Sequence, residues 1–481
     1  ESSDENDSES TNEASPTPEY DEDTSITDQM FRSKEGELLD SDDQGKQPLV
    51  ISQFDKTLAK HAIIDFPELM DQRAETVSES KYYMDMMERW NNPKWGFNKY
   101  IKETKKSVQV AVREFEMRKA AYQYSRATTA KTGSIDVNKL WSYRTNDDIF
   151  LKQTKLADAK DHGMLLLIDY SGSMSGSMKQ VMEQVIHTIL FCKAVAIPFE
   201  VYAFTSTNKK FDAIWHRENP LHVPPGHVDL DGVCVTQLIH SRLKKAEFEG
   251  ALKWLYARTK STHWDDTPKG NAEDWGSTPL NQALMVFDTV IKRFKSKHAV
   301  QKLNFITFTD GDANRLQCHG HYDTDADLTS TNREIKINVG GVWAESEDNR
   351  PKNITTSILK AIKKKHGTNN IGFFMADDNR EWKWRLNALS FETGSYNYNS
   401  EQARKMYNKE YKKNKCVNVQ NVFGYDEYYM VKGGKNLSTD ADDFEVDHNA
   451  TDKAIGTAFK KYSQSKKTNR VLLTKFGKAV A

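Results

Sequence analysis

The sequence predicts an α/β protein: a doubly wound, mostly parallel β-sheet with helices on both faces, preceded by a helical region and a disordered acidic N-terminal segment. From about residue 161 onward, short apolar segments alternate with amphipathic ones, which is the pattern of strands and helices in a parallel sheet that is covered on both sides. Residues 164–168 form an unbroken apolar run, as expected for a central strand that is buried on both faces.

Residues 1–58 are predicted to be a disordered acidic linker. The formal net charge of −1 hides an uneven distribution, because residues 1–45 carry 16 acidic side chains against two basic ones. This segment has almost no aromatic or branched apolar residues, so it cannot bury enough surface to offset the entropy of ordering. It could tether the chain to a basic partner surface, but a charge run of this kind favours a solvated spacer.

Residues 59–160 are predicted to be a helical region and a lead-in to the sheet. Apolar residues recur on one helical face at spacings of three to seven, and these are Ile101, Val108, Val112, Phe115 and Tyr122. Aromatic and Met residues cluster between Tyr82 and Trp95, and Pro93 is expected to end the helix that carries most of them. Such a cluster is typical of a helix–helix contact or a partner-docking face rather than of a cofactor site.

We expect residues 161–465 to form one domain with an insertion at about 311–352, followed by a basic tail at 466–481. The predicted elements of this domain are helix 178–194, strand 199–204, a helix over 243–258, helix 280–294, strand 303–308, helix 353–365 and strand 371–375. Residues 453–481 hold eight Lys or Arg and no acid. Their pattern is not that of a base-stacking platform, so a solvated basic helix face is favoured over contact with nucleic acid.

A motif of the form D-x-S-x-S follows the central strand directly. It consists of Asp169, Ser171 and Ser173, with Gly172 between the serines permitting a sharp turn. The carboxyl ends of strands are where open α/β sheets bind ligands. Mg²⁺ takes about six oxygen ligands and accepts one or two carboxylates. Alternate side chains of a tight turn can supply that oxygen set.

Two further turns repeat this chemistry at predicted strand and helix ends. In one, Ser277 and Thr278 precede Pro279 at the start of a helix, and in the other, strand 303–308 is followed by Thr309 and Asp310. Each turn taken alone is explained as well by a helix cap or a turn residue.

Together the three turns resemble the von Willebrand factor A (vWA) domain with its metal-ion-dependent adhesion site (MIDAS). In that family two serines and a threonine ligate Mg²⁺ or another divalent cation, and two aspartates act directly or through water. The resemblance covers roughly residues 160–465, and it implies that the metal ligands are Asp169, Ser171, Ser173, Thr278 and Asp310. Three turns in the family order favour the metal site over the caps.

The resemblance narrows to the CobT subunit of aerobic cobaltochelatase. It rests on the acidic leader, on residues 131–140 and 148–150, and on the segment 165–174 around the first motif. That subunit works beside an AAA+ ATPase of the MoxR or CobS type and a large metal-inserting subunit, and the complex places cobalt into a corrin precursor. The resemblance implies a cytoplasmic protein. Relatives of this subunit also occur in tailed phages, and a phage-encoded protein would lie in the cytoplasm of the host.

We therefore expect a non-catalytic adaptor that couples an AAA+ ATPase to its target. The sequence has no G-x-x-x-x-G-K-[ST] loop and no H-E-x-x-H motif, so ATP hydrolysis is expected in a partner. An Asp or Glu of that partner is expected to complete the metal site. A general MoxR-type remodelling adaptor without corrin chemistry remains open, as does a nucleic-acid-binding vWA protein, although the acidic leader argues against the latter.

Other classes of protein and site are disfavoured. No run approaches the ~18 apolar residues that a membrane helix needs, and the four Cys form no C-x-x-C pair. The residues 318–321 with Asp323 fit no zinc spacing, and the acidic residues 323–334 lack the Gly that a calcium loop needs, since Leu328 stands in its place. Asp377 and Asp378 are expected to cap the next helix.

Overall fold

The structure is a computed structural model of the chain. It describes residues 49–51, 56–125, 128–130, 144, 153–155, 161–207, 227–230, 232–260, 270–311, 313–316, 334–348, 350–376, 379–392, 400–414 and 416–432. All of them belong to the unit Pro48–Ala481. The two histidines and the cysteine of 318–321, the residues 377–378 and the tail 466–481 lie outside the described residues.

The strands and helices alternate along most of this part of the chain. The strands are β1 Leu49–Ile51, β2 Ile63–Ile64, β3 Thr128–Ala130, β4 Gln153–Lys155, β5 His162–Asp169, β6 Phe199–Thr205, β7 Cys234–His240, β8 Lys302–Thr309, β9 Ile335–Val339, β10 Val342–Ser346, β11 Thr368–Ala376, β12 Val417–Val422 and β13 Tyr425–Lys432. The α-helices are α1 Lys56–Ala62, α2 Phe66–Glu79, α3 Lys81–Asn91, α4 Phe97–Ser125, α5 Met178–Ala194, α6 Lys245–Lys260, α7 Leu280–Lys297, α8 Pro351–His366, α9 Asn379–Glu392 and α10 Ser400–Asn414.

Eight strands form one large sheet in the order β12-β13-β11-β8-β5-β6-β7-β2. Strand β5 pairs in parallel with both neighbours, β6 and β8, while β7 is antiparallel to β6 and β12 is antiparallel to β13. The sheet is therefore mostly parallel, and the predicted α/β class is confirmed at this level. The register of β5 and β8 pairs Ile168 with Phe308, so Asp169 and Thr309 end neighbouring strands side by side.

Helices cover both faces of the sheet. Leu165 and Leu167 of β5 belong to a core shared with α7 and α8, whereas Leu166 and Ile168 belong to the opposite core, which is shared with α5 and α6. These side chains are fully buried. The apolar run 164–168 fits this position, because the side chains of a strand between two helical layers are buried on both faces and are mostly apolar.

Local sequence signals place helices α5 to α8 where the periodicity predicts them, whereas no bounds were predicted for α9 and α10. Helix α5 has the predicted bounds, and the other predicted elements end within three residues of expectation. Helix α8 begins at Pro351, whose fixed φ suits the first helical position, and it ends before Gly367 at φ 62°.

Helices α2 and α4 pack on the face of the sheet that also carries α5 and α6, whereas α1 contributes Ala59 and Ala62 to the opposite core. Helix α3 ends at Asn91, two residues before Pro93, as predicted. Trp90 stacks on Trp95 at 5.2 Å between ring centroids and meets Trp254 of α6 edge-on at 5.1 Å. Part of the aromatic cluster is therefore a helix–helix contact, while Tyr82 remains 56% exposed.

Two parts of the chain carry more regular structure than composition predicts. Strand β1 and helix α1 begin inside 1–58, so regular structure starts by Leu49. The insertion 311–352 contains the hairpin β9–β10, and β1 pairs in parallel with β9 to make a separate three-stranded sheet. The acidic and polar composition of both segments conceals these short strands, and β1 is stabilised by β9, a partner distant in sequence.

Candidate metal centre

The first turn of the candidate site leaves β5 at Asp169. The backbone N–H of Ser171 donates to Asp169 Oδ1 at 2.9 Å, and the hydroxyls of Ser171 and Ser173 lie 3.0 Å apart. A 3-10 turn from Gly172 to Gly176 follows. Asp169 is fully buried and Ser171 is 2% exposed, whereas Ser173 is exposed, so the turn presents oxygens from the interior outward to solvent.

The second turn lies against the first through backbone hydrogen bonds. Gly172 N donates to Gly276 O at 3.0 Å, and Gly276 N donates to Tyr170 O at 3.2 Å. A side chain at Gly276 would not fit, since a Cβ there would lie 2.6 Å from Ser206 Oγ. The close approach of these two backbones brings Thr278, two residues further on, to the same edge of the sheet.

The third turn leaves β8 and joins the first through side chains. Thr309 Oγ1 donates to Asp169 Oδ2 at 2.8 Å, and Ser173 Oγ donates to Asp310 Oδ1 at 3.0 Å. Further along, Asn314 N donates to Thr278 O at 2.8 Å, which ties the second turn to the third. The three turns therefore converge at the carboxyl ends of β5 and β8.

All five sequence-predicted ligands lie at this edge of the sheet. Asp169, Ser171, Ser173 and Asp310 form a continuous set of side-chain and backbone hydrogen bonds, and Thr278 is placed beside them by its backbone. Asp169 does act as a turn residue through its bond from Ser171 N. The helix-cap explanation of Thr278 is not observed, because the residue in the cap position of α7 is Pro279.

Sequence reasoning missed the role of Thr309. Its hydroxyl bridges the two acidic turns by donating to Asp169, and it is 7% exposed. The position of Thr309 in the sequence could have indicated this role. Thr309 ends β8 and Asp169 ends the neighbouring strand β5, so the two residues lie side by side.

The two carboxylates make the site electrostatically demanding. Burial and then the charge of Asp310 raise the pKa of Asp169, hydrogen bonds from Thr309 and Ser171 lower it, and the net result is a pKa of about 7. A cation bound between the two carboxylates would relieve this penalty. The site therefore favours a positive ligand.

The donor set fits a hard divalent cation. Two carboxylates and several hydroxyls are oxygen ligands, which Mg²⁺ prefers, while zinc sites use Cys and His. Across the described residues, no group of three or more His, Cys, Asp or Glu side chains is placed to hold a metal ion. The candidate site differs from such groups because most of its oxygens come from Ser and Thr.

A buried ion pair from the helical region supports the second turn. Arg73 of α2 donates to both carboxylate oxygens of Glu273, Nε to Oε2 at 2.8 Å and Nη2 to Oε1 at 2.7 Å, and both residues are 2% exposed. Burial alone would raise the pKa of Glu273, but Arg73 and Arg258 hold it below its ordinary value. Glu273 lies three residues before Gly276, so the helical region anchors the turn that carries Thr278.

Comparisons with known proteins add little to this geometry. No protein-family model matches the sequence, and no curated protein matches it. Among the solved structures that match is the pilus adhesin SpaC from Lactobacillus rhamnosus GG in its open conformation, at 12% identity and a TM-score of 0.29. The match covers 64% of this chain and 30% of the adhesin, so it spans less than a third of the adhesin's length. A likeness this low supports no inference about fold or function.

The described part of the chain contains no helix with the length and apolar character needed to cross a membrane.

Proposed function

We propose that the chain is a vWA-type adaptor that docks to a partner through a bound Mg²⁺ or another divalent cation. Asp169, Ser171, Ser173, Thr278 and Asp310 would hold the ion, and an Asp or Glu of the partner would complete its coordination. The observation that carries the proposal is the convergence of the three turns at one edge of the sheet.

The position of the site in the sheet supports this proposal. The chain passes from β5 to β6 on one side, whereas it passes from β8 to β11 on the other side. The crevice between β5 and β8 is therefore a topological switch point, which is where open α/β sheets bind ligands. A doubly wound vWA-like arrangement is consistent with this strand order.

The coordination number of the ion supports docking rather than simple storage of an ion. Mg²⁺ takes about six oxygens, so five side chains leave room for one more. Two ionised aspartates would already balance the charge of a divalent cation, so the open position needs an oxygen ligand rather than a further charge. The carboxylate of a partner Asp or Glu supplies such an oxygen.

The resemblance to CobT suggests which partner this is. In a CobT-like complex the docked partner would be an AAA+ ATPase of the MoxR or CobS type, and the adaptor would pass ATP-driven motion to a large chelatase subunit. A remodelling adaptor without corrin chemistry would use the same metal contact. An assay of cobalt insertion into a corrin precursor with the partner subunits separates these two functions.

Metal binding is tested in solution with Mn²⁺, which electron paramagnetic resonance detects directly. We expect one Mn²⁺ that Mg²⁺ displaces, and we expect Ser173→Ala to weaken its binding by about tenfold or more, as loss of a metal-site group commonly does. Ser175→Ala is the matched control, because Ser175 is an exposed serine of the same 3-10 turn. Equal Mn²⁺ affinity in the wild type, Ser173→Ala and Asp310→Asn would refute the proposed site.

The docking step is tested by co-purification of the full chain with a MoxR-type ATPase. We expect the complex to form in Mg²⁺, to dissociate in EDTA, and to be lost in Asp169→Ala while Ser175→Ala retains it. A complex that persists unchanged in EDTA would show that docking does not use the metal.

A further inference from the structure

A small recess lies directly beside the candidate metal centre. Its walls include the turn after β8, the starts of α7 and α8, helix α9 and the β12–β13 hairpin, and the lining residues used below are Leu280, Thr309, Lys352, Arg385 and Phe423. Thr309 is the residue whose hydroxyl donates to Asp169. Leu280 follows Thr278 by two residues, so the recess and the metal centre share a wall.

Two cationic side chains contribute to this recess. Lys352 Nζ lies 4.4 Å from the centroid of the Phe423 ring, and the guanidinium carbon of Arg385 lies 5.8 Å from the same ring and 4.1 Å from that of Phe374. Arg385 is only 3% exposed. Because one aromatic ring lies near both cations, the two positive groups lie close together in the wall of the recess.

The backbone adds to this positive potential. Helix α7 begins at Leu280 and helix α8 begins at Pro351, and Thr355 Oγ1 donates to Asn281 Oδ1 at 2.7 Å, which joins the first turns of the two helices. Helix N-termini carry partial positive charge from the aligned peptide dipoles. Side chains and helix N-termini therefore both contribute positive charge to the wall of the recess.

The size of the recess limits what it can hold. Its volume is about 30 Å³. Pockets for nucleotides and other drug-sized ligands are roughly ten times larger or more. One carboxylate head group is of a suitable size, and it has the charge that the two cations attract.

We propose that this recess binds a second acidic side chain of the same partner segment whose first Asp or Glu completes the metal centre. The inference rests on the proposed function and gives the partner its chemistry: an acidic peptide segment with two carboxylates a few residues apart. Trp384 is 52% exposed, and its ring lies 4.8 Å from the guanidinium carbon of Arg385. It supplies apolar surface at the rim, where a docked peptide would exclude water from the two ionic contacts.

The experiment is a selection of random peptides displayed on phage against the immobilised full chain in Mg²⁺, followed by fluorescence anisotropy with the enriched peptides. We expect enrichment of peptides with two acidic residues at a fixed separation. Lys352→Gln should weaken the binding of these peptides by about tenfold, which is the effect of losing one charge-assisted hydrogen bond. It should leave the binding of peptides with a single acidic residue unchanged. Lys352→Arg keeps the charge and should bind like the wild type. The matched control is Lys360→Gln, because Lys360 is exposed on the same helix and does not line the recess.

The outcomes separate this inference from the proposed function. If enriched peptides bind in Mg²⁺ but not in EDTA, and Lys352→Gln binds them as the wild type does, the recess is not their second contact and the inference is wrong. If acidic peptides bind equally in EDTA, or if no acidic residues are enriched, the metal-dependent docking itself is wrong. Displacement of the peptides by single-stranded DNA in the wild type but not in Lys352→Gln would assign the recess to nucleic acid and overturn the inference.

Discussion

The buried ion pair between Arg73 and Glu273 predicts a large and specific loss of stability when it is broken. Replacing Arg73 with Met leaves the Glu273 carboxylate at 2% exposure without its bidentate partner. Arg258, at 3.9 Å, and the backbone N–H of Gly270, which donates to Glu273 Oε2 at 3.2 Å, remain near it. Breaking a buried pair by removing one member costs about 3–5 kcal/mol. We therefore expect Arg73→Met to lower the free energy of unfolding by about this amount, with the remaining contact to Arg258 favouring the lower end.

A second ion pair between an arginine and a carboxylate is the control. Arg293 Nη2 donates to both carboxylate oxygens of Asp65, at 2.7 and 2.8 Å, but these two side chains are 35% and 46% exposed. An exposed pair contributes about 0–1 kcal/mol. Arg293→Met is therefore expected to be nearly neutral, although it removes an ion pair of similar geometry.

Urea denaturation followed by circular dichroism measures both changes, and a double-mutant cycle with Glu273→Gln isolates the pair. The double variant should be less destabilised than the sum of the two single variants, because it leaves neither the Arg73 guanidinium nor the Glu273 carboxylate buried without the other. The pKa of Glu273 is lower in the folded state than its ordinary value. The ion pair therefore contributes its full stabilisation at a pH above the ordinary pKa of Glu. This contribution is lost as the pH falls from the ordinary pKa through the lowered pKa of the folded state. A cost for Arg73→Met no larger than that for Arg293→Met would refute the argument that the helical region anchors the second turn.

Three further outcomes are expected. Because the pKa of Asp169 is raised to about 7 in the metal-free fold, that fold should lose stability as the pH rises from about 4 to about 7, and thermal melts should show greater stabilisation by Mg²⁺ at pH 8 than at pH 5. Gly276→Ala should lower the free energy of unfolding by about 1–3 kcal/mol and weaken Mn²⁺ binding, because its Cβ would lie 2.6 Å from Ser206 Oγ. Gly172→Ala should affect stability much less, because its Cβ would meet no atom within 4 Å. Comparable stability losses in the two variants would contradict this explanation. Trp90→Ala should lower the free energy of unfolding by about 3–5 kcal/mol in urea denaturation, since Trp90 is 6% exposed between Trp95 and Trp254; a loss below about 1 kcal/mol would be that of a surface residue.

The central part of the fold was predictable because its signals are local. The run 164–168 is apolar throughout, and α5 and α7 show clear helical periodicity, so β5, β8 and the helices between them could be placed to within a few residues. The antiparallel strand β7, next to the edge strand β2, and the β12–β13 hairpin were not predicted. Their strand conformation depends on pairing with β6 and β11, which lie elsewhere in the sequence.

The candidate site was predictable for a different reason. In a parallel sheet the carboxyl ends of neighbouring strands meet at one edge, so polar residues directly after 164–168 and 303–308 were expected to lie together. The pairing of Thr278 with this edge depends on the bridge between Ser171 and Gly276, a contact between residues far apart in sequence. The ion pair of Arg73 with Glu273 likewise could not be read from sequence, because nothing local indicates that these two charges are buried against each other.

The most direct test of the metal centre is a crystal structure of the chain grown with Mn²⁺, with anomalous scattering locating the ion. A single strong peak is expected among the side-chain oxygens of Asp169, Ser171, Ser173, Thr278 and Asp310, within about 2.5 Å of at least the serine hydroxyls. If the three turns superpose on the present structure and no peak lies among them at saturating Mn²⁺, the proposed docking through a bound cation is contradicted.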